Sequence, residues 1–271
     1  MLWLPGCHGK DARRPDPAPR PAVPSRGSEA PVLQRIEARP TVDGAGATVQ
    51  RVFPGPELRH LDPFVLLDDF DVRVPAGFPE HPHRGFEAFT YMLEGAFHHR
   101  DTMGNDSTIA AGGTQRFNSG RGARHSEMPA TGGQNRGLQL WVNLPRAKKA
   151  MEPEYQGVPT AAMPVDERDH QRIHTVIGPS SPVELHTEVE YLDVTLLADG
   201  RFERVIPPGY STLLYVLEGS VGLGAIEIAR GQGVVLGAGE LSVRGREGAR
   251  LAQLRGRPHH EPIVHRGPFV D

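Results

Sequence analysis

Past residue 30, glycine or proline interrupts this chain every few positions, and that punctuation leaves no stretch in which a long helical period could run. Proline removes a backbone donor and clashes with the preceding turn, while glycine costs a helix conformational entropy. Between the breaks lie short runs rich in β-branched and aromatic residues, such as Thr48 to Phe53, Gly137 to Asn143 and Tyr191 to Leu197. Evenly spaced short strands separated by turn signals predict an all-β sandwich or barrel. Arg146 to Gln156 reads as a brief helical or irregular connector, closed by Pro153 and the Gly157-Val-Pro159 punctuation. A boundary is therefore expected between residues 145 and 170.

The chain also echoes itself. Thr90-Tyr-Met-Leu-Glu-Gly95 corresponds to Leu214-Tyr-Val-Leu-Glu-Gly219, each a strand ending in a Glu-Gly turn. Ala229 to Gly239 similarly resembles Ile109 to Gln115. Two related barrels follow, packed in tandem. The expected division is a disordered tail over 1–32, an N-terminal barrel over 33–150, a linker over 151–170 and a C-terminal barrel over 171–271.

Only the first barrel carries an obvious chemical set. In a strand, residues i and i+2 face the same way, so His81-Pro-His83 and His125-Ser-Glu127 are each a ready-made chelate. One His-x-His pair among 13 histidines is most often exposed or core histidine, but two chelates reinforce each other. The first opens the strand-like run Phe86 to Leu93, and the second follows the glycine-rich Ser119 to Ala123. On adjacent strands the four groups converge as three imidazoles and one carboxylate, a set that suits a divalent transition metal. The corresponding place in the second half is Pro207-Pro-Gly-Tyr210, with no such pair.

Composition narrows the partners. A net charge of −3 and a pI near 6.5 give no basic footprint for nucleic acid. No run reaches the length of a membrane span. Met1 to Cys7 is too short and lacks the preceding positive charge of an export signal. Residues 8–30, rich in Pro, Arg and Ala, hold too few large apolar side chains to offset the entropy of ordering. The single cysteine, Cys7, has no internal disulfide partner, which points to a reducing, cytoplasmic setting. Asn105-Asp-Ser matches a glycosylation acceptor and reads as an ordinary polar turn in such a compartment.

From about residue 33 onward the chain resembles the pirins, bicupin proteins of the cupin (jelly-roll) superfamily. The matching segments are Leu61 to Phe70, His81 to Glu87, Tyr91 to Gly95, Ser119 to Pro129, Gly137 to Pro145 and Glu261 to Val270. The resemblance implies that His81, His83, His125 and Glu127 bind one metal, usually iron. Family members include quercetin dioxygenases and transcriptional or metabolic co-regulators, so the resemblance fixes the metal better than the task. Asp68-Asp69-Phe70 departs from the Asp-His-Phe common in the family, as does the N-terminal extension. The family usually continues past Gly-Pro-Phe-Val with a helical segment, so the packing around Asp271 is left open.

Three imidazoles and a carboxylate leave two positions on a six-coordinate metal, and Fe(II) suits that mixed set. Other divalent transition metals fit the ligand types too. A flavonol would bind through its hydroxyl, lose that proton to Glu127, which serves as base and ligand, and be cleaved by dioxygen with loss of carbon monoxide. Glu87, at the parity of His83, is expected either beside the ligands or as a solvated strand end. His99 and Asp101 read as a solvated hairpin end, with ligand orientation or pocket gating as the other reading. Phe86, Phe117 and Trp141 line an aromatic pocket or fill the core, and His259-His260 reads as surface. Beside the dioxygenase stand a non-enzymatic iron protein that regulates a partner through its redox state, and a structural bicupin with a vestigial metal. A monomer is expected.

Overall fold

A computed structural model describes residues 27–271. The expectations for the tail and Cys7 fall on residues 1–26, outside the described ones. The described chain is all-β, with two single turns of 3₁₀ helix at Arg146–Lys148 and Thr160–Ala162. The expected connector after residue 145 is the first of these turns.

Two β-barrels pack together. In the first, a seven-stranded antiparallel sheet runs in the order Glu154–Val158, Thr114–Asn118, Phe86–Glu94, Asn135–Asn143, Phe64–Val72, Ala47–Phe53 and Arg39–Asp43. A four-stranded sheet, Phe78–His83, Ala123–Pro129, Ala96–Asp101 and Asp106–Ala110, lies across it. Ala47, Val49, Phe70, Val72 and Met92 from one sheet meet Phe97 and Ile109 from the other. The second barrel is built on a ten-stranded sheet whose centre is Ser211–Leu223 between Gln232–Leu236 and Ala249–Gly256.

The seven-stranded sheet is covered on both faces. Phe89, Tyr91 and Leu93 turn towards the second barrel and join a buried cluster with Tyr191, Leu213, Tyr215 and Leu254. Phe86, Ala88 and Met92 turn into the first barrel instead. Double burial explains why Phe86 to Leu93 reads as a nearly unbroken apolar run rather than an alternating one.

The internal echo is structural. Gly95 and Gly219 both sit at positive φ, +69° and +68°, and a Cβ on either would lie within 2.4 Å of a carbonyl oxygen, that of Gln134 or Gly248. Only glycine serves at those turns. The tyrosines of the echo cross the interface in opposite directions. Tyr91 Oη donates to Asp193 Oδ2 at 2.8 Å, and Arg250 clamps the same carboxylate through Nε and Nη2 at 2.9 and 2.7 Å. Tyr215 Oη donates to Asp69 Oδ2 at 3.3 Å, with Arg136 Nε 3.5 Å from Oδ1.

Each end of the described chain finishes the other barrel. Val32–Glu37, expected to open the first barrel, pairs with Gln232–Leu236 of the second. The hairpin His265–Arg266 and Phe269–Val270 returns to the first, where Val270 N donates to Arg84 O at 3.0 Å. Within the expected linker, Glu154–Val158 is the edge strand of the first barrel and Val165–Arg168 pairs with Gln171–Ile177 of the second.

Tyr91→Phe leaves a buried carboxylate short of one donor and is expected to lower stability by about 1.5–3 kcal/mol. Tyr215→Phe, whose bond is longer, is expected to cost about half as much. Urea unfolding midpoints of the two variants check the order; equal losses would show that the bond lengths do not set it.

Candidate metal centre

Strand pairing brings the histidines together. His81 on Phe78–His83 is the cross-strand neighbour of His125 on Ala123–Pro129. His81 and His83 share a face, as their spacing requires, and a bulge after His125 shifts Glu127 opposite Phe78. The ligand-type atoms of His81, His83 and His125 lie within 4.8 Å of one another.

Backbone carbonyls fix two of the tautomers. His81 Nδ1 is 2.8 Å from Pro79 O, and His83 Nδ1 is 3.2 Å from Pro268 O. A carbonyl only accepts, so each Nδ1 carries the hydrogen and each Nε2 presents a lone pair. Those two Nε2 atoms face each other at 3.0 Å. Two lone pairs at that distance repel unless a cation sits against both. Both ring nitrogens of His125 are buried and have no hydrogen-bond partner. The donor set therefore fits a metal that takes imidazole nitrogen.

Electrostatics favours the ligating state. Burial pushes His83 down to about 3, with His81 adding to the shift and the Pro268 carbonyl opposing it. Burial likewise holds His125 well below the usual histidine value, helped by His83, His81 and His99. Neutral imidazoles are what a metal ion requires. Aromatic rings hold them in place: Phe117 stacks on His125 at 4.2 Å, and Phe86 and Trp141 meet the His83 ring at 4.8 and 4.9 Å. These are the three aromatics expected from the sequence, and Trp141 alone of them also lines a cavity.

Glu127 is placed differently from the histidines. It is buried and lines the same cavity, but the group of converging ligand atoms consists of the three imidazoles. Its Oε1 accepts from Thr90 Oγ1 at 2.6 Å and Gln115 Nε2 at 2.5 Å, and its Oε2 from Gln139 Nε2 at 2.9 Å. These three donors belong to a row of cross-strand neighbours, Arg51, Asp68, Gln139, Thr90 and Gln115, one from each of five adjacent strands. Sequence reasoning missed the row. Its signal was a polar residue at inward parity in otherwise apolar runs, as Gln139 is in Leu138-Gln-Leu140.

Residues 46–142 match the Pirin family model, and residues 191–271 match the Pirin C-terminal cupin domain. A pirin-like protein of Solanum lycopersicum is 42% identical over 249 residues, covering 88% of this chain and 86% of that protein. The chain belongs to the pirin family. A Pseudomonas aeruginosa pirin relative, whose name assigns it provisionally to the quercetin 2,3-dioxygenases, is 41% identical over 88% of this chain and 90% of its own length. A solved quercetin 2,3-dioxygenase from Acinetobacter baumannii superposes with a TM-score of 0.83 at 28% identity, covering 90% of this chain and 92% of that one. As in that structure, the pirin barrels form a bicupin.

Other expected residues are placed as follows. His99 is no solvated hairpin end: it has no exposed surface, its Nε2 is 3.0 Å from Asp101 Oδ2, and it stacks on Tyr155 at 4.3 Å. Inward parity of the strand outweighed the polar look of His98-His99-Arg100. Burial pushes Asp101 up, but bonds from His99 and from Asn105 and Met103 together hold it below the usual carboxylate value. Asn105 is spent in that turn. Glu87 is fully buried, so the solvated reading fails. It faces the second barrel, where it pairs with Arg116 at 3.0 Å and accepts from the His186 backbone N–H at 3.0 Å. The parity argument from His83 breaks at Gly85, whose φ of +86° ends one strand before the next begins. His260 is exposed, whereas His259 is half-buried against Thr187 and Asp62. Among the described residues no helix is long and apolar enough to cross a membrane.

The C-terminal hairpin that supplies Pro268 is clamped by Lys149. Its Nζ donates to Gly85 O, Val270 O and Asn143 Oδ1 at 2.9, 2.8 and 2.8 Å, and burial pulls the amine down to about 8. Lys149→Met should loosen the hairpin and lower divalent-metal affinity about tenfold, the usual scale for an outer partner of a ligand. Competition with a coloured chelator reads this directly; unchanged affinity would mean the clamp does not position His83.

The depressed histidines also set an acid limit on the metal-free protein. Below pH 6.5 the unfolded chain binds protons that the folded chain refuses, so stability is complete above 6.5 and is lost as pH falls towards 3. Each such histidine contributes a slope of about 1.4 kcal/mol per pH unit. Denaturant unfolding of chelator-treated protein between pH 7 and 5 should show this fall, and His83→Gln should make it shallower by one proton. An unaltered slope in that variant would place the acid sensitivity elsewhere.

Proposed function

We propose that this pirin is a metal-dependent dioxygenase that opens the heterocycle of a flavonol-like aromatic, with Fe(II) as the resident metal. The observation that carries the reading is the pair of facing His81 and His83 lone pairs at the wall of a cavity of about 600 Å³ that Glu127 also lines. That volume suits a small aromatic ligand. His81, His83 and His125 would hold the ion, with Glu127 as the fourth group of the set. When bound, the metal supplies Lewis acidity and a redox partner for dioxygen.

The chain's own residues account for binding and proton movement. Phe70, Phe78, Phe97 and Trp141 give the cavity flat apolar walls that accept a planar ring system and keep water away from it. Glu127 takes the proton of the flavonol hydroxyl, which makes the ring electron-rich enough to react with dioxygen. Thr90, Gln115 and Gln139 hold the carboxylate in position for that transfer. Dioxygen then adds across the heterocycle, which opens with release of carbon monoxide. The names of the Pseudomonas and Acinetobacter relatives support the same substrate class.

Oxygen uptake by iron-reconstituted protein with quercetin tests the proposal. Turnover should vanish in His125→Ala and fall at least a hundredfold in Glu127→Gln, the usual scale for losing a general base. Tight metal binding without uptake on quercetin or simpler flavonols would overturn it and favour a redox-responsive iron protein that acts through contact with another protein.

A further inference from the structure

The cavity has a second polar pole on the sheet that faces the imidazoles. Arg51 and Asp68, cross-strand neighbours on the seven-stranded sheet, line it together with Asp43. Arg51 Nε and Nη2 donate to Asp68 Oδ1 and Oδ2 at 2.9 and 2.7 Å, and Nη2 also donates to Asp43 Oδ2 at 2.7 Å. The guanidinium is thus fixed on one edge by two carboxylates. Its Nη1 hydrogen-bonds to no described residue, so two donors are left for whatever enters the cavity. The rest of the lining is largely apolar, with Val49, Leu66, Phe70, Phe78, Phe97 and Trp141, while Gln139 beside Asp68 links the cluster's row to Glu127.

We propose that the Asp43–Arg51–Asp68 cluster is a hydroxyl-recognition subsite that selects flavonols bearing a phenolic hydroxyl at the end remote from the metal-binding oxygens. This rests on the dioxygenase reading and names the substrate feature that the cavity selects. The cluster carries two negative charges and one positive, so a ligand carboxylate or phosphate meets a net charge of −1 and is repelled. A phenolic hydroxyl matches both kinds of group: its oxygen accepts from Nη1 while its hydrogen goes to a free lone pair on Asp68 or Asp43. Burial pushes Asp68 up to about 6, against the Arg51 clamp. A ligand without the distal hydroxyl leaves those groups unpaired, which is how a polar subsite discriminates strongly.

Trp141 lines the cavity and reports on its contents, and Trp3 is the chain's other tryptophan. In a Trp3→Phe background, quenching of Trp141 by quercetin and by 3-hydroxyflavone, which lacks the distal hydroxyls, is measured on metal-loaded protein under argon. Quercetin should bind about tenfold tighter or more, the scale of one charge-assisted hydrogen bond. Arg51→Met should bring the two within about twofold. Because that change strands the buried Asp68, the double variant Arg51→Met with Asp68→Leu, which replaces the pair by apolar side chains, is measured beside it and should show the same collapse. Equal affinities in the parent protein, or a preference for quercetin that survives the double variant, overturn the inference and leave the dioxygenase reading standing. Failure of both flavonols to quench Trp141 overturns the two together.

Discussion

Two backbone carbonyls, those of Pro79 and Pro268, govern the histidine cluster. By taking the Nδ1 hydrogens of His81 and His83 they force the two Nε2 lone pairs to face each other at 3.0 Å, an arrangement that a cation relieves. Pro79 is local to its histidine, but Pro268 arrives from the far end of the chain after the second barrel is complete. The histidine cluster of the first barrel is therefore finished by the C-terminal end of the chain, through a hairpin that Lys149 holds with three bonds.

The packing of the barrels obeys the same reciprocity. Tyr91 and Tyr215 occupy equivalent places in the duplicated sequence, and each reaches across to an aspartate of the opposite barrel that an arginine clamps or faces. Burial makes such carboxylates costly to leave unpaired. Together with the buried Glu87–Arg116 pair that meets His186, the exchange fixes orientation between two largely apolar sheets, whose contact cluster of leucines, valines and aromatics would tolerate sliding. Only the first copy carries the histidine pairs, yet both carry the tyrosine, the aspartate and the arginine.

The fold class, the tandem barrels and the histidine pairs were legible because each depends on local spacing: glycine at positive φ in a turn, one residue between side chains on one face. Glu87, His99 and the polar row were not, because their fates depend on which face of a strand meets which neighbour. Two polar residues two places apart look alike whether they meet water or a buried partner. His99 and Asp101 read as hairpin tips from their charged surroundings, and only the packing of Tyr155 over the ring and the inward turn of the strand bury them. Gln115, Thr90 and Gln139 come from strands far apart in the chain, so their meeting at Glu127 has no signature within any one segment. The expected start of the first barrel at residue 33 falls on Val32–Glu37, which pairs with the second barrel, a partnership that nothing within that segment encodes.

The exchange of terminal segments limits how the molecule can be divided. A cut through the segment joining the barrels would strip Val32–Glu37 from Gln232–Leu236 and Phe269–Val270 from Arg84, leaving a bare ribbon edge on one half and an uncapped histidine on the other. Neither piece is a self-sufficient module. Mixed together, though, the halves hold each other's missing parts, so the natural unit of folding is the pair.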